Sequence, residues 1–202
     1  TRTVSLEIPR GVPRKSRPLL KRVGAVGLRL LGWRVTGAFP DLSKFIVIVA
    51  PHTSNWDFII GLLAYLAIEI DASWLGKHSI FRWPFGPMLR RFGGIPVDRG
   101  SPHNVVQQSI AEFSRRDRLV LALAPEGTRR RVPSWRSGFY HIAIGARVPI
   151  VTAALDFGNR EFAVGPTFQP TNDYVADLAI LASQFAAVTP RRSELYEPAP
   201  RP

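Results

Sequence analysis

The chain has no cysteine among its 202 residues. Disulfides, thiolate metal sites and a cysteine nucleophile are therefore excluded. Acidic side chains are scarce: 15 Asp and Glu face 27 Lys and Arg, leaving a net charge of +12. Such an excess points to an anionic partner, whether nucleic acid, phospholipid headgroups or a phosphorylated substrate. Long apolar runs are missing too. The longest, FIIGLLAYLAIEI at 58–70, is interrupted by Glu69 and is shorter than the roughly 20 residues needed to cross a bilayer. The N-terminal stretch lacks the compact apolar core of a signal peptide, so none is expected there.

What is present is a hydrophobic fraction of 46%, enough for a folded core in a chain of this length. The positive charge is uneven: residues 1–34 carry nine Lys or Arg against the single acid Glu7. Residues 1–16 read as a basic arm. At 18–35, PLLKRVGAVGLRLLGWRV spaces Leu19, Leu20, Val23, Val26, Leu30 and Leu31 as a helix does, although Gly24 and Gly27 weaken it. Two readings stand for this segment: a helix packed on the core, or a basic amphipathic helix on an anionic membrane.

From residue 45 strands and helices alternate. FIVIVA (45–50), ASWLGK (72–77), GIPV (94–97), RLVLALA (118–124) and PIVTAAL (149–155) read as strands. EFAVGPTF (161–168) reads as an edge strand because Gly165 and Pro166 interrupt it. Helices are expected at 54–69, 104–116, 136–146 and 172–187. The pattern predicts one α/β domain over 17–188, with a mixed, mostly parallel sheet flanked by helices. Residues 189–202, rich in proline and charge, read as a loose tail.

Three stretches carry chemistry. In VAPHTSNWDF (49–58), His52 precedes Asp57 by five residues. On one continuous helix the two side chains would diverge. If instead His52 lies in the turn and Ser54 or Asn55 caps the helix, Asp57 falls in the first turn, where negative charge is favoured. Its carboxylate could then meet His52 Nδ1–H and leave Nε2 as a base. In LALAPEGTRRR (121–131), Gly127 permits a sharp turn, and Arg129, Arg130 and Arg131 bring guanidinium forks suited to phosphate. In FGGIPVDRG (92–100), Arg99 follows a short strand. Upstream, residues 74–91 mix Lys77, Arg82, Arg90 and Arg91 with Trp74, Phe81, Trp83 and Phe85, a composition suited to nucleic acid or to a membrane–water boundary.

Together and in this order, the stretches resemble the glycerolipid acyltransferases of the 1-acyl-glycerol-3-phosphate (lysophosphatidate) acyltransferase type. The family's His-x4-Asp is matched by His52 and Asp57. Its Ile-Pro-Val-x-Arg stretch, opened by glycine, is matched by Gly94, Ile95, Pro96, Val97 and Arg99. Its Glu-Gly-Thr-Arg is matched by Glu126, Gly127, Thr128 and Arg129. Its Val-Pro-Ile-Val strand is matched by residues 148–151, with Thr152 where the family often has proline.

The resemblance implies direct acyl transfer from a thioester, acyl-CoA or acyl carrier protein, to a lysophospholipid hydroxyl. His52 would be the base, oriented by Asp57. Arg99 and Arg129, with Lys77, would hold the acceptor phosphate; Gly127 and Thr128 would shape the loop, and Glu126 would hold the arginines. Backbone amides at 93–95 are expected to meet the oxyanion. No metal or cofactor is implied. The expected setting is peripheral, on the cytoplasmic face of an anionic membrane. Two alternatives remain at this point: another lysolipid or glycolipid acceptor, and a non-catalytic protein binding lipid or nucleic acid.

Overall fold

A computed structural model describes residues 3–98, 100 and 102–197. In β3 (Lys44–Ala50), Phe45 and Val47 point to one face of the sheet, while Ile46, Ile48 and Ala50 point to the other. All five are buried, so the strand needs apolar cover on both sides. The same holds for β7 (Ile150–Asp156), where Val151, Ala153 and Leu155 oppose Ile150. These two strands lie side by side in an eight-stranded sheet.

The other strands are β1 (Val4–Glu7), β2 (Arg34–Ala38), β4 (Ala72–Lys77), β5 (Gly94–Val97), β6 (Leu119–Leu123) and β8 (Glu161–Phe168), in the order β1-β2-β8-β7-β3-β6-β4-β5. Among the described strands only β7 and β8 pair antiparallel; the other strand pairings of the sheet are parallel. The α/β architecture with a mixed, mostly parallel sheet is the one expected.

Helices α1 (Pro18–Leu30) and α2 (Asn55–Ile68) cover one face. α5 (Gly138–Ala146) and α6 (Tyr174–Ser183) pack on the other, with α4 (Pro102–Arg115) against α5. A short α3 (Gly86–Arg91) leads into β5. The two glycines of α1 have a packing role. A Cβ on Gly24 would come within 2.6 Å of Ala67 N and Leu63 O, and one on Gly27 within 2.8 Å of Leu63 Cδ2. Small residues here let α1 cross α2 closely, and that contact offsets their poor helix propensity.

Three expectations need correction. The basic arm is structured: it carries β1, buries Val12 and pairs Arg14 with Ile70. Its end is held at Glu69: Arg14 pairs with the carboxylate at 3.6 Å and Lys15 N donates to Glu69 O at 3.0 Å. Just beyond the arm, Arg17 N and Lys21 Nζ donate to the carboxylate at 3.0 and 2.9 Å. Those bonds hold its pKa below the ordinary carboxylate value. The residue that interrupts the apolar run is thus the anchor for the arm.

Next, β8 is internal, between β2 and β7. Gly165 and Pro166 are tolerated because β2 pairs only as far as Val164. Finally, the tail is packed as far as it is described. Phe157 N donates to Thr189 O, Tyr196 is buried, and Arg131 pairs with Glu197 at 2.9 Å.

Candidate active site

Because β3, β6, β4 and β5 run parallel, their C-terminal ends open on one edge of the sheet, where α/β proteins build their sites. β3 ends at Ala50 and delivers residues 51–54 to that edge; β6 ends at Leu123 and delivers the PEGTR loop beside them. The two loops are tied together, since His52 N donates to Glu126 Oε1 at 3.0 Å.

The turn after β3 is organised by Asp57. Ser54 is the N-cap of α2 and Asp57 stands at the third helical position, closing a capping box. Asp57 Oδ2 accepts from Thr53 N at 2.5 Å and from Ser54 N at 2.6 Å; Oδ1 accepts from Ser54 Oγ at 2.9 Å. The side chain is fully buried, and its Oδ2 lies 3.6 Å from His52 Nδ1. That separation is ion-pair range but longer than a hydrogen bond. Asp57 therefore fixes the turn that aims His52 and supplies negative charge beside it, instead of holding the ring by a short bond.

The tautomer follows from the other nitrogen. Arg129 Nε donates to His52 Nε2 at 3.3 Å, so Nε2 carries the lone pair and Nδ1 the proton. Arg129 Nη1 also donates to Asn55 Oδ1 at 2.5 Å. Burial is the main influence on His52 and lowers its pKa; Asp57 pulls the pKa up and Arg129 pushes it down. The outcome is a histidine kept neutral, with a basic Nε2 facing an exposed arginine.

Glu126 lies behind the pair and is buried, with Oε2 unpartnered among the described residues. Burial raises its carboxyl to about 7, and nearby Asp57 adds to the rise. Tyr196 Oη is likewise buried without a partner, and burial together with Glu126 drives its pKa upward. Gly127 takes a left-handed φ of +64°, and Arg136 packs across it: a Cβ there would lie 2.7 Å from Arg136 Cδ. Thr128 Oγ1 accepts from Arg130 N at 3.3 Å.

An open cleft of about 2570 Å³ runs from His52 across this edge. It exceeds the roughly 300–1,000 Å³ of single-ligand sites. One apolar lobe is lined by Leu62, Tyr65, Trp74, Leu89 and Phe92. Around the base the lining is cationic, with Arg129, Arg130, Arg136, Arg191 and Arg192; Asp57 is the one carboxylate among the described lining residues.

His52, Asp57, Glu126, Gly127, Thr128 and Arg129 are thus brought together. Lys77 is not: it is exposed at the end of β4 and does not line the cleft. Arg99 lies outside the described residues. The 93–95 turn sits at the opposite end of β5, and Gly93 N is engaged with Arg90 O, so it does not face the base. Gly94 serves packing instead, since a Cβ there would lie 2.8 Å from Leu89 O. Sequence reasoning missed the partnership of Asn55 with Arg129, the contribution of Arg136, and the whole tail. The tail did offer one signal, Tyr196, an aromatic residue within a charged and proline-rich stretch.

Comparisons with known proteins bear on the fold and the family. The family described as Acyltransferase matches residues 34–156. A 1-acyl-sn-glycerol-3-phosphate acyltransferase from Cocos nucifera is 34% identical over 88 residues, which is 40% of this chain and 28% of that protein. The chain thus matches little more than a quarter of that relative's length. The crystal structure of the 1-acyl-sn-glycerophosphate (LPA) acyltransferase PlsC from Thermotoga maritima superposes with a TM-score of 0.54 at 16% identity. That superposition covers 76% of this chain and 69% of that one, and it supports the fold. The family match takes in β2 to β7, including His52, Asp57 and the PEGTR loop, and on that ground the chain belongs to the acyltransferase family.

Proposed function

We propose that the protein transfers an acyl group from a thioester, acyl-CoA or acyl carrier protein, to the free hydroxyl of 1-acyl-glycerol-3-phosphate. The observation that carries this reading is a half-buried histidine beside a buried aspartate, lining a cleft that five arginines also line. His52 Nε2 takes the hydroxyl proton as the acceptor oxygen attacks the thioester carbonyl. The tetrahedral adduct collapses, the C–S bond breaks, and the imidazolium returns its proton to the departing sulfur. An ester and a free thiol result, and His52 ends neutral. Buried Asp57 stabilises the transient imidazolium from 3.6 Å.

Arg129 has two positions in this scheme. Without acceptor it occupies the lone pair of the base; an arriving phosphate offers the guanidinium a stronger, charge-assisted partner and draws it away from Nε2. The base is then uncovered when the acceptor binds.

The reading also sets the protein on an anionic membrane surface. No helix among the described residues is long and apolar enough to cross a membrane. Yet twelve of the fifteen large exposed apolar side chains among the described residues lie on α1, α2 and residues 80–88. Arg22, Arg29, Arg82, Arg90 and Arg91 flank them in sequence, a mixture of apolar and basic groups suited to an anionic interface.

The test is acyl transfer by the purified chain with acyl-CoA or acyl-carrier-protein donors and a panel of lysolipids. Turnover is expected to be fastest on 1-acyl-glycerol-3-phosphate. Equal or faster turnover on neutral or glycolipid acceptors would reassign the acceptor, and no transfer from either donor would refute the activity.

A further inference from the structure

We propose that the C-terminal segment 189–197 completes the acceptor site, with Arg192 binding the acceptor phosphate alongside Arg129 and Arg130. The proposal rests on the reading that the acceptor is phosphorylated. The segment lies beyond the family match, which ends at residue 156.

Its course across the site is pinned at four points. Phe157 N donates to Thr189 O at 2.8 Å, and the Arg191 guanidinium lies 5.9 Å from the centroid of the Phe157 ring. Tyr196 is buried to 7% exposure, and Glu197 pairs with Arg131 of the PEGTRRR loop. Between these anchors, Arg192 N donates to Thr53 Oγ1 at 3.3 Å. Thr53 adjoins His52 in sequence, and Asp57 holds its backbone N–H at 2.5 Å. The backbone of Arg192 is therefore bonded to the same turn that carries the base.

The Arg192 side chain, in contrast, is exposed, lines the cleft and has no carboxylate partner among the described residues. No ion pair joins it to Asp57, Glu126, Glu194 or Glu197: Asp57 is committed to its capping bonds, Glu126 accepts from His52 N, and Glu197 pairs with Arg131. A guanidinium on a fixed backbone, beside other unneutralised arginines, suits a phosphate with several oxygens to share. Anchoring the backbone also leaves less conformational entropy to lose when the anion binds.

The experiment compares full-length wild type, Arg192→Gln and Arg129→Ala after a thermal melt has established that each is folded. Glycerol 3-phosphate is titrated by calorimetry, and kcat/KM is measured on a phosphorylated and a neutral lysolipid, with donor KM and binding to anionic vesicles alongside. For Arg192→Gln, glycerol 3-phosphate affinity is expected to fall about tenfold, as is the preference for the phosphorylated acceptor. Donor KM and vesicle binding should stay near wild type. Unchanged glycerol 3-phosphate affinity in Arg192→Gln overturns the proposal, even where Arg129→Ala loses it and the acceptor reading stands. A loss in donor KM or vesicle binding, with acceptor preference kept, also overturns it. If wild type itself prefers the neutral acceptor, the acceptor reading fails, and the titration still decides whether Arg192 binds phosphate.

Discussion

At the scale of single residues, the site is two buried acidic groups around one histidine. Burial lowers the pKa of His52, so the neutral, basic form persists below the ordinary histidine value of about 6.5. The rate kcat/KM is therefore expected to rise with pH through an inflection below that value and to level off above it. Arg129 contributes to the lowering. In Arg129→Ala the inflection should move to higher pH; a shift to lower pH would contradict the contact between guanidinium and ring.

Glu126 shifts the opposite way, to about 7 from 4.5. Between these values the folded chain keeps a proton that the unfolded chain releases, so stability falls as pH rises from 4.5 to 7 and changes little above. The contribution is about 3 kcal/mol at most, and E126Q removes it. Chemical denaturation at pH 5 and pH 8 should show a smaller pH difference in E126Q than in wild type. Equal differences would mean that Glu126 is solvated.

At the scale of elements, the sequence was readable where local pattern and packing agree. The short, nearly continuous apolar runs of β3 and β7 and the Ser54–Asp57 capping signal needed no long-range information. β1 and β2 were not readable, because β1 pairs with β2 and β2 with β8, partners that lie far away in sequence. Of the two readings left open for α1, packing on the core is seen on one face, and another face leaves apolar side chains exposed. Gly24, Leu28 and Gly27 meet α2 or the core, while Leu19, Val23, Val26 and Leu30 stay 51–82% exposed at spacings of four, three and four. A helical stripe of this kind, flanked by Lys21, Arg22 and Arg29, suits the plane of an anionic interface. The double variant Val23→Glu/Leu30→Glu should bind anionic vesicles at least about tenfold more weakly, since each site loses apolar burial in the membrane. Its unfolding midpoint should stay near that of wild type. Undiminished vesicle binding would assign the stripe another role.

At the scale of the molecule, the site joins loops that are distant in sequence at one edge of the sheet. His52 and the Glu-Gly-Thr-Arg stretch were visible as motifs because their chemistry needs particular residue types. Their contact at Glu126 Oε1 and Arg129 Nε was not visible, since it depends on β3 and β6 being neighbours. Arg192 was hidden for the same reason, in a stretch whose proline and charge resemble a solvated tail. Gly93 was misassigned to the site because its motif is local, whereas strand direction, which puts it at the far end of β5, is not.

Acyl transfer with His52 as the base is tested most directly by single-turnover measurement on His52→Ala, with a melting curve to establish the fold. The His52 side chain is partly buried at the mouth of the cleft, so its removal should leave the melting temperature close to that of wild type. Turnover is expected to fall about 10³-fold, within the span usual for loss of a general base. A folded His52→Ala protein that transfers acyl groups at a near-normal rate would contradict the mechanism.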